Sequence, residues 1–222
     1  MNDRKNTGKT AGKMREFSIA LGLLDYVNPV FYTVTSLTLI RHLKGAMNST
    51  LYMIYLAGAV ISLIGGYAIP TGKVLVGMKI IKFRMPVSIV FFVNSGILFS
   101  GLALGAHVLH LSTLAISAIF LAAAAFLAYI IAETHKFNTA AVLCGAIGYL
   151  LIYISLILTS LIAHMILPVI LYLAAICLFV FLCFIGIKAD LYDAEIHWII
   201  EISNVICQGL VALATYILFF GF

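Results

Sequence analysis

The chain has 222 residues, of which 64% are hydrophobic and 9% charged, and its mean hydropathy of +1.17 means more apolar surface than one soluble core could hide. A soluble globular domain is excluded on those grounds. The formal net charge of +5 is placed as membrane topology would place it, so it argues for attraction to anionic headgroups and gives no reason to invoke nucleic acid.

Runs of about 20 apolar residues are long enough to cross a hydrocarbon core of about 30 Å as helices. The runs here are continuous instead of alternating, which excludes a strand barrel. The expectation is an all-α, polytopic transmembrane helical bundle of seven helices, at 17–40, 51–69, 86–108, 112–132, 139–163, 166–187 and 195–220. It divides into a basic tail, 1–16, expected to be disordered and cytoplasmic, and one seven-helix domain, 17–222. The first apolar run is too long for a signal peptide and ends without a small-residue cleavage site, so it stays as the first span.

Lysine and arginine fix the expected orientation. With the amino terminus inside, the cytoplasmic side holds Arg4, Lys5, Lys9, Lys13, Arg15, Lys73, Lys79, Lys82, Arg84, Lys136 and Lys188, while the outside holds Arg41 and Lys44. Short cationic loops are retained in the cytoplasm, so the amino terminus is expected there and the carboxyl terminus outside. The segment KVLVGMKIIKFR, 73–84, is expected to be a positive loop, with a basic amphipathic stretch on the inner leaflet as the alternative.

The polar residues inside the apolar runs carry the functional expectation. Counting from the cytoplasmic end, the eighth residue on is Asp25 in the first span, within LDYVNPVFYTVTS, and Asn94 in the third. In the last span, Glu201 lies about as deep, roughly 12 Å at 1.5 Å per residue. DLYDAEIHWIIEISNVICQ, 190–208, puts Asp190, Asp193, His197, Glu201, Asn204 and Gln208 within roughly 80° on one helix, a stripe about 27 Å long opposite a wholly apolar face. An ionisable group at that depth costs at least ~2.5 kcal/mol on insertion scales, so it is expected to be paired, hydrated or functional. Asp25, Asn28, Asn94, His197, Glu201 and Asn204 are therefore expected to turn inward to a shared, hydrated cavity open to the cytoplasm. Pro29, by lacking an N–H, frees a backbone carbonyl near Asp25. Two carboxylates in one low-dielectric pocket repel unless a proton or a cation sits with them, and His197 is placed to relay a proton or act as counter-ion. Asn28, Asn94 and Asn204 serve equally well as interhelical hydrogen-bond glue, and Asp190, Asp193 and Glu195 as solvated surface charge.

These residues suggest transport of a small polar or cationic solute, with proton coupling allowed. An alternative is an intramembrane enzyme in which His197, Glu201 and Asp25 hold a metal that activates water against a lipid-like substrate. A scaffold or sensor subunit whose polar core only fixes helix packing is the third. Enzyme status, cofactor and oligomeric state are left open, and the one partner composition demands is the lipid bilayer. The last span has no lysine for a retinal Schiff base and no paired histidines, and the only internal echo, Thr35-Ser36-Leu37 against Thr159-Ser160-Leu161, is too short for a repeat. His42, His107, His110 and His164 map to outer helix ends and His135 to a cytoplasmic loop, so no three-histidine cluster forms around His197. The four cysteines, in no CxxC spacing, are expected to be small apolar fillers. Gly65-Gly66, Gly96, Gly101, Gly105, Gly145 and Gly148 are expected at close helix contacts. Tyr149 and Tyr153 share a helix face, for packing or as a cavity wall. Asn48-Ser49-Thr50 is a formal glycosylation sequon close to two spans.

Overall fold

The structure of the protein, a computed structural model, describes residues 18–81, 87–132, 137–188 and 194–221, with the backbone alone at 87–88, 130–131, 137–139, 186–188 and 194–195. The expectations for the 1–16 tail and for Lys82, Arg84, His135, Lys136, Asp190 and Asp193 lie outside the described residues.

The described residues are all-helical: α1 (Ile19–Asp25), α2 (Val27–Leu43), α3 (Ser49–Gly77), α4 (Val87–Val108), α5 (Thr113–Ala132), α6 (Phe137–Ile162), α7 (Ile166–Lys188) and α8 (Ala194–Phe220). Because α1 and α2 are two pieces of one span, these eight segments make the seven expected spans, and the chain is an all-α transmembrane-type bundle. Five helices, α3, α4, α6, α7 and α8, are each long and apolar enough to cross a membrane. Polar side chains close the starts of three elements: Ser18 Oγ accepts from the Leu21 N–H at α1, Asn48, of the sequon, accepts from the Thr50 N–H at α3, and Ser112 Oγ accepts from the Ala115 N–H at α5. Each satisfies a backbone donor that the first helical turn leaves orphaned.

The first span breaks at Tyr26, whose backbone stays near helical values (φ −65°, ψ −22°). Pro29 is the cause: it has no N–H to return to the Asp25 carbonyl, and its ring crowds that carbonyl. The second span differs from expectation in length. A stop near residue 69 follows from Pro70-Thr71-Gly72-Lys73, but α3 runs through Pro70 to Gly77. A proline costs an isolated helix about 3 kcal/mol, but packing against neighbours offsets that in a bundle. Lys73 is therefore a helical residue and not part of a loop or an amphipathic stretch on the leaflet.

Six spans close a ring in the order α1/α2, α3, α4, α6, α7, α8 and back to α1/α2, while α5 rests outside it against α4 and α6. Glycine sets the tightest walls. A Cβ at Gly58 would stand 2.5 Å from the Gly96 carbonyl oxygen, and one at Gly96 would stand 2.6 Å from the Gly58 oxygen. Between α4 and α6, a Cβ at Gly101 would stand 2.5 Å from the Gly148 oxygen and one at Gly148 2.6 Å from the Leu98 nitrogen. Gly101, first of the GxxxG pair, thus packs within the chain, where small residues let helices approach until van der Waals contact itself holds them. Pairings of 94 with 141, 101 with 148 and 105 with 155 run in the same sense, so α4 and α6 are parallel. Cys144 and Cys207 are buried in this interior as free thiols, as is the Tyr153 ring, and Cys177 is exposed.

Candidate functional site

Gly22 brings the first span against the end of α3. A Cβ there would lie 2.8 Å from Val74 Cγ2 and 3.1 Å from the Val74 nitrogen, so only glycine lets α1 approach this closely without a shift. One turn beyond Gly22 is Asp25, and one residue before Val74 is Lys73. The Lys73 Nζ stands 2.7 Å from Asp25 Oδ2 and 2.7 Å from Glu201 Oε1 on α8. Asn28 completes the group from α2, its Nδ2 donating to Asp25 Oδ1 at 3.3 Å and to Glu201 Oε2 at 3.3 Å. Asp25, Asn28 and Glu201 are all buried, and Lys73 is half-buried.

One ammonium is thus shared by two carboxylates taken from opposite ends of the chain. The Lys73–Glu201 contact is a charge-assisted hydrogen bond of the shorter, stronger kind, the Lys73–Asp25 contact is an ion pair whose Asp25 Oδ2 has no hydrogen-bond partner among the described residues, and the amide bonds at 3.3 Å are long. Two carboxylates and one ammonium leave the ionised cluster with one negative charge in excess. Such a charge, desolvated by surrounding helices, is stable only with a proton, a cation or residual access to water.

Of the residues expected to share a pocket, the structure brings Asp25, Asn28 and Glu201 together. The third helix at this depth is α3, through Lys73, where Asn94 was expected to supply it from α4. Asn94 instead donates from Nδ2 to the Ala141 carbonyl at 2.9 Å, with its carboxamide over Gly145, which is interhelical packing between α4 and α6. His197 is half-buried one turn before Glu201 on α8, and Asn204 is half-buried one turn after it. Sequence reasoning missed Lys73 because the second span was expected to end at 69, which left this lysine counted as a loop cation. The two buried carboxylates were themselves the signal, since they called for a cation from a neighbouring helix.

The Asp25, His197 and Glu201 metal set is not what the structure assembles. The cation between the two carboxylates is the Lys73 ammonium, and among the described residues no three His, Cys, Asp or Glu side chains converge as a metal cage. At the end of the bundle away from the cluster, His107 and His110 lie with ring centroids 6.4 Å apart, while His42 stacks on Phe219 at 4.5 Å.

Further polar groups flank the cluster on α2 and α3, beginning at the exposed Thr71. Tyr26 and Tyr67 are tied in by Thr71 and Thr33: the Tyr26 and Thr71 hydroxyls are 2.6 Å apart, and Thr33 Oγ1 reaches both the Pro29 carbonyl at 2.6 Å and the Tyr67 hydroxyl at 3.0 Å. The Thr33 bond to Pro29 gives a partner to a carbonyl beside the break in the first span. Further in, the Tyr32 hydroxyl faces Ser36, Ser62 and Ser100, and those of Tyr149 and Tyr153 face Gln208. Gln208, Ser36, Ser62 and Ser100 are all buried. Both tyrosines also pack on Phe179, with centroids 5.6 and 6.2 Å away, so they serve packing with their rings and polarity with their hydroxyls.

Compared with known proteins, the chain matches no protein-family model, no curated protein and no solved structure.

Proposed function

We propose that this chain is a multi-pass membrane transport protein that carries a small polar or cationic solute, coupled to a proton, through a polar interior entered from the cytoplasmic side. The single observation behind this reading is the Lys73 ammonium held at 2.7 Å by both Asp25 and Glu201, with one negative charge left over. A purely structural pair would balance its charges, because an uncompensated buried charge costs several kcal/mol. A site that must gain and lose a proton or a cation during a cycle needs the imbalance. Three features support the reading further. The cluster sits at the break in α1/α2 and beyond Pro70 in α3, and interrupted helices are a recurring way to build ion and solute sites in membranes. The interior beyond it sets the hydroxyls of Tyr32, Tyr149 and Tyr153 and the Gln208 amide among the aliphatic residues of the core. Among the described residues, Lys79 in the turn after α3 and Lys188 at the end of α7 lie at the end of the bundle nearest the cluster, the end expected to face the cytoplasm.

In this reading Asp25 and Glu201 hold the charge, Lys73 is their internal counter-ion, and Asn28 orients the bound group. His197 modulates the charge or relays the proton, and Asn204 orients the solute one turn deeper. The test is reconstitution into proteoliposomes on a solid-supported membrane, with jumps of sodium, choline, lysine and putrescine at two pH values, alongside proton entry into pyranine-loaded vesicles under an imposed potential. Wild type should give current or proton flux with at least one of these. Glu201→Gln and Asp25→Asn should abolish it while the purified variants unfold no more readily than wild type, since each removes the surplus charge. Flux that survives both substitutions refutes the proposal.

A further inference from the structure

We propose that a cavity at the end of the bundle away from the cluster binds one borderline divalent transition-metal ion, of the Zn²⁺, Ni²⁺ and Cu²⁺ class, through the imidazoles of His107 and His110. The site lies apart from Asp25, Lys73 and Glu201 and does not depend on the transport reading.

The end of α4 builds the pair. After Val108 the chain closes the helix with the Leu111 N–H on the Ala106 carbonyl and the His110 N–H on the His107 carbonyl, both at 3.1 Å. His110 takes the left-handed backbone that this closure requires, φ 49°, where glycine is the least strained residue. The reversal returns the exposed His110 ring to the side of the half-buried His107, and the two centroids stand 6.4 Å apart with planes inclined at 64°. Imidazoles that share one ion through bonds of about 2.0–2.1 Å have centroids about 5 Å apart at the tetrahedral angle and about 6.5 Å apart when opposed. The pair stands at the wide end of that range. A movement of about 1 Å by the exposed ring brings it to the tetrahedral spacing.

The two rings border a cavity of about 400 Å³ between the start of α3, the end of α4 and the start of α5, and the other polar groups lining it are Asn48, Thr50, Thr113 and Ser117. A water occupies about 30 Å³ of liquid, so the space holds an ion together with the waters that complete its shell. The lining decides the class of ligand. Among the described residues no carboxylate, lysine or arginine lines the cavity. Hard cations such as Ca²⁺ and Mg²⁺ ask for carboxylate oxygens, whereas imidazole suits zinc, nickel and copper. Anions favour helix starts with open N–H groups. Here Asn48 already accepts from the Thr50 N–H and Ser112 from the Ala115 N–H. Two neutral imidazoles are left as the ligating groups, with the hydroxyls of Thr50, Thr113 and Ser117 placed to hydrogen-bond metal-bound water.

The experiment is calorimetric titration of zinc chloride or nickel chloride into purified full-length protein, freed of any affinity tag, at neutral pH, with magnesium chloride as the hard-cation control. Wild type should bind one zinc or nickel ion per chain and no magnesium. His107→Gln and His110→Gln should each weaken binding about tenfold or more, since loss of an outer-shell partner alone costs a metal site about that much. His164→Gln, which changes a histidine outside the cavity, should bind as wild type does. Electron paramagnetic resonance with one equivalent of Cu²⁺ should show two coordinating imidazole nitrogens in wild type and one in either cavity variant. Absence of binding in wild type overturns the site, as does binding that survives either cavity substitution or is lost equally in His164→Gln. Should a cavity variant not fold, the wild-type copper spectrum decides alone: two nitrogens support the pair, and a single nitrogen overturns it.

Discussion

The α3–α4–α6 wall and the α1–α3–α8 corner of the ring are built by opposite means. In the wall, glycine backbones approach until an added Cβ would lie 2.5–2.6 Å from a main-chain atom of the facing helix, and its polar groups, such as Ser62 donating to the Val93 carbonyl at 3.1 Å and Asn94 to the Ala141 carbonyl at 2.9 Å, are each closed locally. In the corner, a span broken just before Pro29, a helix that runs on through Pro70, and α8 meet through charges of unequal number. Close-packed interiors tolerate little displacement, so the wall is suited to act as a fixed frame. An ionic corner changes its preferred geometry when one proton or cation arrives, so it is suited to respond. Asn28 and Asn94 make the lesson concrete: the same residue type at similar depth satisfies a neighbour's carbonyl in the wall, and in the corner donates to two carboxylates while its own oxygen has no partner among the described residues.

The largest expected effect comes from removing the shared cation. Lys73→Met strands two buried carboxylates and should cost about 3–5 kcal/mol, read as unfolding at lower temperature or denaturant. Combining it with Asp25→Asn and Glu201→Gln should recover most of that loss, and an unperturbed single variant would show that the corner is not an ion-pair cluster at all. Next comes Gly148→Leu, which drives a side chain into the backbone at Ile97 and Leu98. Overpacking of that kind costs about 1–3 kcal/mol, and it should weaken the frame without altering flux, so altered flux would show that wall and corner are coupled. The smallest is Asn94→Ala, which removes one interhelical hydrogen bond worth about 0.6 kcal/mol. It should leave flux intact; loss of flux with stability retained would return Asn94 to the site.

Seven apolar runs, read in order, matched the helices to within a few residues at most ends, because length and continuous hydrophobicity are all that lipid demands of a spanning helix. The exception, α3, ran on to Gly77 because Pro70 stops a helix only where no neighbour compensates it. Depth counting also found Asp25 and Glu201, since an ionisable residue in an apolar run is conspicuous and expensive wherever it faces. It failed for Asn94, whose amide finds a carbonyl partner on almost any neighbouring helix.

What the sequence determined by itself was the membrane class, the approximate spans, and the presence of two carboxylates that could not be left facing lipid, all of them consequences of local hydrophobicity along the chain. Only the tertiary structure decided that these carboxylates share Lys73, that Asn28 spans them, and that Asn94 belongs elsewhere. Ring order and helix rotation set those partnerships. They arise from packing at glycines such as Gly22, whose missing side chain is visible in the sequence but whose facing neighbour is not.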